Sequence, residues 1–349
     1  MTSPHRDVPT EPTAGPGHPA GPAPEAARRR QGSPGPGAAA PAPPPGGRPP
    51  AAPGRRPARD ADARAVTRPG RLWATRKGRR VVLTGALLLV AAVAGLVGPA
   101  VVPYDPLTVR LEARLLPPLA RLPDGGIAWL GTDQLGRDML GQVVHGARVS
   151  MLVAASTVGI AGVVGTALGL VAGYTGGATD TVLMALVDVQ LAIPPLLLAI
   201  LIAAMLGPSV PNVILTLSVI RWAVFARLAR GSTLALREKE FVEAARALGA
   251  SHARIMGRHV LTNILTPLVI LATLQIALQM LAEAALSFLG LGIPHPLPSW
   301  GVTISQGRDY LQNAWWIATL PGGVMTLAVL AAGAFGDALR DYLDPRFGY

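Results

Sequence analysis

The chain has 349 residues, of which half are apolar and only 15% are charged, a balance outside the usual range of soluble globular domains. Its formal charge of +11 comes almost entirely from residues 1–80, which hold 15 of the 31 lysines and arginines but 5 of the 20 acids. The absence of cysteine excludes disulfides, thiolate metal sites and cysteine nucleophiles. These features predict a membrane protein with a basic tail.

Residues 1–70 consist mainly of Pro, Ala, Gly and Arg, with few large apolar side chains. Such a segment cannot bury enough surface to offset the entropy lost on ordering, so we expect a disordered cytoplasmic tail. It does not have the arrangement of a signal peptide. Its charge can attract anionic lipid or nucleic acid, but no motif specifies a nucleic-acid partner.

Six apolar segments follow the tail, and each is close to the ~20 residues that a helix needs to cross the hydrocarbon of a bilayer. They cover residues 81–102, 149–174, 182–206, 210–228, 264–290 and 314–336. The pattern predicts an all-α membrane protein with six transmembrane helices. Its regions are a basic flank with the first helix (71–102), an extracytoplasmic segment (103–148) and a helical core (149–349).

The distribution of cations predicts the orientation of these helices. A cluster precedes the first span at Arg71, Arg76, Lys77, Arg79 and Arg80. Because cations favour the cytoplasmic side, we expect the N-terminus there, and six crossings return the C-terminus to the same side. The basic loop at 229–263 is then cytoplasmic as well. The segment 103–148 fits this rule less well, since it carries five arginines.

Motifs for catalysis are missing from the sequence. The two lysines, Lys77 and Lys239, do not follow a glycine, so a Walker-type phosphate-binding loop is excluded. The six histidines include no HExxH pair, and there is no GxSxG turn. We therefore expect no enzyme activity, no metal site and no cofactor in this chain.

A short segment between spans four and five, residues 240–251 (EFVEAARALGAS), has apolar residues at helical spacing. Its apolar face carries Phe241, Ala244, Ala245 and Leu248, and the charged residues off that face are Glu240, Glu243 and Arg246. Gly249 can adopt the left-handed conformation that ends a helix, and Ser251 can cap the next helix. The segment predicts a rigid two-part helical knob under the membrane, with alanines small enough for a partner to approach closely.

The EAAxxxG pattern at 243–249 resembles the EAA loop of ABC importer permeases, and the chain around it is similar to the dipeptide/oligopeptide/nickel branch of that family. Other similar segments are 131–138 (GTDQLGRD), 146–148 (GAR), 286–292 (LSFLGLG), 298–301 (PSWG) and 336–346 (GDALRDYLDPR). They occur in the family's order over roughly residues 71–349. At Thr262, where the family usually has a proline, we expect a softer helix break, or a break moved to Pro267.

The resemblance implies a type I ABC importer permease of a bacterial plasma membrane that carries di- or oligopeptides, or a related small solute such as nickel. It implies four kinds of partner: a second permease subunit, two ABC ATPase subunits that bind ATP, an extracytoplasmic solute-binding protein and the lipid bilayer. The residues that it assigns to ATPase coupling are Glu240, Phe241, Glu243, Ala244, Ala245, Arg246, Leu248 and Gly249.

Span five carries Gln275, Gln279 and Glu283 at intervals of four, which places them on one helical face. Because polar groups facing lipid are costly, this face is a candidate lining of the translocation path. The alternative is that the glutamines join helix to helix and that Glu283 lies near the outer head groups. Asp188 and Arg221 lie near the predicted inner ends of their spans, where interfacial anchoring is expected.

Prolines and glycines within the spans predict features of packing. Pro194 and Pro195 should kink span three, because two amide donors are lost there. In span two, Gly165, Gly169 and Gly173 form a small-residue face that favours close contact with another helix.

Two other classes of function stay open from sequence alone. One is an ion-gradient-driven secondary transporter or channel, in which Glu283 would carry protons. The other is a membrane-anchored scaffold whose basic tail binds nucleic acid or lipid. Transport by the purified chain alone would identify the first class, and loss of function on deletion of residues 1–70 would identify the second.

Overall fold

The computed structural model describes residues 76–101 and 105–343, which belong to one compact unit. The predicted disordered tail (1–70) lies outside these residues, and so does the end of the predicted C-terminal motif (344–346). Within the described part the chain is mainly helical, as the composition and the six apolar segments predicted.

Ten α-helices carry the fold of the described residues. They are α1 (Arg76–Val101), α2 (Met139–Thr175), α3 (Gly177–Ala192), α4 (Pro195–Leu206), α5 (Val210–Arg237), α6 (Glu240–Ala247), α7 (His252–Arg254), α8 (Leu261–Phe288), α9 (Trp300–Gly307) and α10 (Trp316–Leu343). A π-helix, Ile255–Val260, joins α7 to α8. Two short antiparallel strands, β1 (Ala120–Arg121) and β2 (Ile127–Ala128), form a hairpin between α1 and α2.

Five stretches of helix are long and apolar enough to cross a membrane. They are Gly78–Gly98, Met139–Thr175, Val210–Arg237, His252–Phe288 and Trp316–Leu343. The pair α3 and α4 passes the same criterion only when taken together, which gives up to six spans. The predicted six apolar segments therefore correspond to the helices of the structure, and the third is the broken one.

The break in the third segment lies at the predicted prolines. α3 and α4 meet at an angle of 92°. Ile193 ends α3 with extended backbone angles, as expected for a residue that precedes a proline. Pro195 is the first residue of α4. An N–H at this position would have no acceptor within the helix, so proline costs no hydrogen bond there. The predicted kink is confirmed.

α2 begins at Met139, ten residues before the predicted start of span two. The side chain of Asp138 caps it by accepting a hydrogen bond of 3.0 Å from the amide of Gly141. Hydropathy alone missed this extension because residues 139–148 include polar side chains. One of them, Gln142, is buried and donates a bond of 2.7 Å to the carbonyl oxygen of Pro106.

The three glycines of α2 lie against the backbone of α5. A Cβ atom added at Gly165 would collide with the carbonyl oxygen of Trp222, and one at Gly169 would collide with that of Ala226. At Gly173 the added atom would come within 2.8 Å of the carbonyl oxygen of Arg230. Because both series advance by four residues, the two helices touch along three successive turns, and the predicted close contact is confirmed.

The remaining spans pack around this pair. α1 contacts α2 and α10, and α10 also contacts α8. Trp300, from the predicted PSWG segment, is buried at the start of α9 and donates a hydrogen bond of 2.9 Å to the carbonyl oxygen of Val143 in α2. This contact fastens the segment between α8 and α10 to the N-terminal part of α2.

Candidate functional site

The predicted knob is formed by α6 and the turn that follows it. Glu240 and Glu243 lie in the first turn of α6, and Arg246 lies in the last. This arrangement complements the helix dipole and favours a helix of only eight residues. A single connecting pair, Glu238 and Lys239, separates α6 from α5. The knob is therefore held directly at the end of a spanning helix.

The inner face of α6 consists of Val242 and Ala245. Both are buried in a hydrophobic cluster with residues of α2, α5, the π-helix and α8, such as Phe225, Ile255 and Ile264. The predicted apolar face included Ala245 but not Val242. The signal for Val242 was its spacing of three from Ala245, which places both on one side of a helix.

The outer face of α6 keeps the rest of the predicted apolar set at the surface. Leu248 is 88% exposed and Phe241 is 41% exposed, and Ala244 between them is also exposed. The charged residues Glu240, Glu243 and Arg246 lie along one side of this patch and are exposed too. The structure thus leaves a small apolar patch with a charged border at the surface, which is the arrangement of many protein contact sites.

The turn after α6 has the predicted chemistry. Gly249 has a φ of +78°, which a residue with a side chain rarely adopts. The amide of Gly249 donates to the carbonyl oxygen of Arg246 (3.0 Å), and the amide of Ala250 donates to that of Ala245 (3.1 Å). Ser251 then caps α7 by accepting a bond from the amide of Arg254. Both predictions, for Gly249 and for Ser251, are confirmed.

The knob is connected to three spanning helices. The hydroxyl of Tyr174, at the end of α2, lies 2.9 Å from Nδ1 of His252 at the start of α7. Arg237, at the end of α5, donates a bond of 3.2 Å to the carbonyl oxygen of Gly173 in α2. α7 continues through the π-helix into α8, so the predicted break at Thr262 is absent and Pro267 lies inside α8. The local unwinding occurs instead at Ile255–Val260.

The polar face of α8 is turned into the protein. Glu283 is fully buried, and its carboxyl oxygens accept hydrogen bonds from Ser150 of α2 (2.9 Å), Ser287 (2.7 Å) and Ser299 (2.9 Å). Gln279 is also fully buried, and Gln275 is only 3% exposed. The structure brings the three onto one face, as predicted. Their burial favours the alternative of helix-to-helix packing, and a role in the path stays a prediction.

Asp188 and Arg221 differ in their partners. Asp188 pairs with Arg227, and both side chains are exposed. Arg221 lies near the middle of α5, because this helix continues to Arg237 rather than ending near 228. The interfacial position predicted for Arg221 stays a prediction, although α5 extends nine residues beyond the predicted end of its span. The apolar pattern ended early because of arginines that pair with acids of α3, namely Arg227 with Asp188 and Arg230 with Asp180.

Comparison with known proteins gives consistent matches. Residues 165–349 match the family described as the binding-protein-dependent transport system inner membrane component. The chain is 38% identical over 273 residues to the probable D,D-dipeptide transport system permease protein DdpC of Escherichia coli (strain K12), a match that covers 78% of this chain and 90% of that protein. It is 40% identical over 276 residues to the di/tripeptide transport system permease protein DppC of Pseudomonas aeruginosa (strain UCBPP-PA14), with 78% and 91% covered.

Among solved structures, the chain is similar to a subunit of the MetNI methionine ABC transporter in inward-facing conformations. The match has 20% sequence identity and a TM-score of 0.48, and it covers 59% of this chain and 98% of that chain. The family match and the two curated relatives confirm the resemblance to ABC importer permeases that the sequence motifs indicated. This multi-pass membrane chain belongs to the family of binding-protein-dependent transport system inner membrane components.

Proposed function

We propose that this chain is the permease subunit of an ATP-driven importer for short peptides, coupled to its ATPases through the outer face of α6. The observation that carries the coupling is the exposed apolar patch of Phe241, Ala244 and Leu248 on a helix whose other face is buried. The proposal for the solute rests on relatives that are named for dipeptide and tripeptide transport and aligned over most of their length.

The shape of α6 suits docking into a groove of a partner. Val242 and Ala245 pack α6 against the spanning helices. The outer face of α6 is therefore not needed for packing within this chain and is free to contact a partner. Leu248 projects an apolar side chain, while Ala244 leaves room for close approach. Glu240, Glu243 and Arg246 at the border can set the orientation of the partner through complementary charges. The partner is an ABC ATPase subunit that binds and hydrolyses ATP.

A conformational change of the ATPase would be transmitted to the spanning helices through the contacts of the knob. α6 follows α5 after two residues, α7 continues into α8, and His252 contacts the end of α2. A shift of α6 therefore moves three spans together, and such rigid-body motion can alternate access to a path between two permease subunits. This chain performs no covalent chemistry in the cycle. An extracytoplasmic binding protein would deliver the solute.

The orientation that follows places α6 and both termini in the cytoplasm of a bacterium. The cations before α1 and those around α6 support this orientation, since both groups lie where the positive-inside rule expects them. The hairpin of β1 and β2 would then lie outside the cell, on the side of the binding protein.

Reconstitution tests this function directly. Proteoliposomes that contain this chain, a second permease, two ATPases and the binding protein should take up labelled dialanine only when ATP is present. Liposomes with this chain alone should be inert. Uptake by the chain alone, driven by a proton gradient, would instead identify a secondary transporter.

Deletion of residues 1–70 separates the permease from the scaffold alternative. The described helices and α6 do not include the tail, so the shortened chain should keep ATP-dependent uptake within about twofold of the full chain. Measurement of initial uptake rates in the reconstituted importer checks this. Complete loss of function, with the shortened protein still in the membrane, would favour the scaffold.

A further inference from the structure

Arg221 is a cation at the middle of a spanning helix without a counter-ion among the described residues of its own chain. It lies 11 residues from Val210 and 16 residues from Arg237, which correspond to about 16 Å and about 24 Å along α5. Its side chain is half-buried, and its Nε is buried without a hydrogen-bond partner in the part of the chain that the structure describes. The guanidinium therefore lies well inside the helix, away from both of its ends.

The acids of the neighbouring helices are already engaged. α3 contributes Asp188, which pairs with Arg227, and Asp180, which accepts two bonds from Arg230 at 2.5 Å and 2.6 Å. α8 contributes Glu283, which accepts from three serines. Within the described residues of α3, α4, α5 and α8 there is no further acid. Arg221 therefore has no free acid available to it on these helices.

Arg221 lines a crevice of about 350 Å³ between α4, α5 and α8, a volume in the range of sites for small ligands. The other lining residues are apolar, among them Pro195, Ala199 and Leu217. The rim is accessible, since Leu196 is 47% exposed and Leu278 is 47% exposed. Among the residues that line the crevice, the guanidinium is therefore the only charged group offered to a ligand.

The start of α4 adds a second favourable feature. Pro195 and Leu196 of its first turn line the crevice, and the helix begins without a side-chain cap. Pro195 has no amide hydrogen, but the amide of Leu196 has no acceptor within the helix, and the helix dipole gives this end partial positive charge. An anion in the crevice would thus meet both the guanidinium and a helix N-terminus.

We propose that Arg221 binds the terminal carboxylate of a short peptide in this crevice during translocation. This inference rests on the proposed function, because a free terminal carboxylate is the anionic group that di- and tripeptides have in common whatever their side chains. A guanidinium can bind a carboxylate through two parallel hydrogen bonds. The apolar walls of the crevice would meanwhile accept varied side chains without specific contacts.

The first test compares variants in the complete reconstituted importer, with labelled dialanine as the probe. Arg221→Gln should lower the initial uptake rate about tenfold or more, as expected for loss of a hydrogen bond between charged groups. Arg221→Lys should keep a larger share of the rate because it retains the charge. Arg227→Gln is the matched control on the same helix and should stay within about twofold of wild type, since it removes only an exposed ion pair.

The other possible anions give different results in the same experiment. If the difference in uptake between Arg221→Gln and wild type disappears in pure phosphatidylcholine liposomes, the anion bound by Arg221 is the phosphate of an acidic lipid. If the Arg221→Gln chain no longer co-purifies with the second permease, the partner of Arg221 is a carboxylate of that subunit. Either result, or an Arg221→Gln importer with normal uptake, would overturn the proposal. A wild-type importer that does not take up dialanine would instead contradict the proposed function.

A second test does not depend on the identity of the cargo. The chain has no cysteine, so Ala282→Cys, in the wall of the crevice, gives a single reactive thiol in this subunit. In the complete importer, a sulfonate-bearing thiosulfonate reagent should modify this thiol several-fold faster than a trimethylammonium-bearing one. The preference should vanish in the double variant that also carries Arg221→Gln. Equal rates for both reagents with Arg221 present would show that the crevice does not attract anions.

Discussion

Ser150 of α2 donates a hydrogen bond of 2.9 Å to the carboxyl group of Glu283 in α8, across 133 positions of the sequence. Ser287 and Ser299 donate to the other oxygen of the same group. Three hydroxyl groups thus satisfy one buried carboxyl and join α2, α8 and the residue that caps α9. The geometry is that of a structural joint, because a buried polar group is stable when its hydrogen bonds are complete.

We expect Ser150→Ala to destabilise the protein by about 0.6 kcal/mol, the average measured for side-chain hydrogen bonds between membrane helices, and by no more than about 1.7 kcal/mol, the largest value measured. Glu283→Ala should cost more because it leaves three buried hydroxyl groups without their acceptor. Thermal unfolding of the purified protein in detergent measures both. Ser305→Ala is the control, since this half-buried serine makes a solvent-exposed hydrogen bond to the carbonyl oxygen of Phe288 and no other among the described residues.

Glu283→Gln should keep dialanine uptake within about threefold of wild type, because the amide retains an acceptor oxygen for the serines. The pH dependence of uptake should not change. An uptake that falls to background, with the fold intact by thermal unfolding, would show instead that Glu283 carries protons or lines the path.

Leu248→Asp should abolish uptake without a loss of stability. The side chain is 88% exposed, so the change should alter the free energy of unfolding by no more than about 0.5 kcal/mol. It would place a charge in the apolar centre of the proposed docking patch and reduce ATP-dependent uptake at least about tenfold. Co-purification of the ATPase reports the docking itself. Leu111→Asp, the same change at a 63% exposed residue in the segment between α1 and α2, should leave both measurements unchanged.

Gly249→Ala should weaken the turn after α6 by about 1–2 kcal/mol, because an L side chain is disfavoured at positive φ. The penalty is conformational, since no atom lies within 4 Å of the added Cβ. Gly249→Pro also removes the amide that bonds to Arg246, and it should abolish uptake while the protein remains in the membrane. Gly257→Ala, at an exposed position with negative φ and open space, is the control. Normal uptake by Gly249→Pro would remove the rigid turn from the coupling mechanism.

The cap of α2 predicts a pH effect. Burial raises the pKa of Asp138 above its ordinary value of 3.8, although hydrogen bonds from the amides of Gly141 and Leu140 oppose the shift. A carboxyl whose pKa is raised by folding favours the folded state when protonated, and this contribution is lost as the pH rises through the folded pKa. Asp138→Asn should therefore melt at a higher temperature than wild type at pH 7.

The difference between Asp138→Asn and wild type should shrink as the pH falls through the raised pKa of Asp138, because the wild-type carboxyl then becomes protonated as well. Melting curves at a series of pH values test this. Glu112→Gln, which neutralises an exposed carboxyl, serves as the control. A constant difference across the whole series would contradict the assignment to Asp138.

Local chemistry made part of the site predictable. Gly249 and Ser251 act through backbone bonds to neighbours within five residues, so their roles can be derived from a short window. Pro194 and Pro195 also act locally, because they break the third segment through their missing amide donors and their effect on the preceding residue. In each case the conformational preference of one residue type decides the structure.

Features that depend on distant partners were not predictable. The hydropathy pattern predicted that span four ends near residue 228, because it takes no account of the ion pair between Arg227 and Asp188, 39 positions away. Spacing placed Glu283 beside Gln279 but could not show that Ser150 would cover it. Likewise, Val242 turns inward because α2, α5 and α8 converge on it. Each of these outcomes is fixed by tertiary packing rather than by the local pattern.

The glycine contacts between α2 and α5 have a mechanical consequence. Carbonyl groups of α5 occupy the space beside three glycines of α2. If the two helices slid past each other or separated, cavities would open along the whole contact. We expect this pair to travel as one body during the transport cycle. The hinge that opens a passage must then lie elsewhere, and the right-angled junction of α3 and α4 is the place where the backbone is already divided.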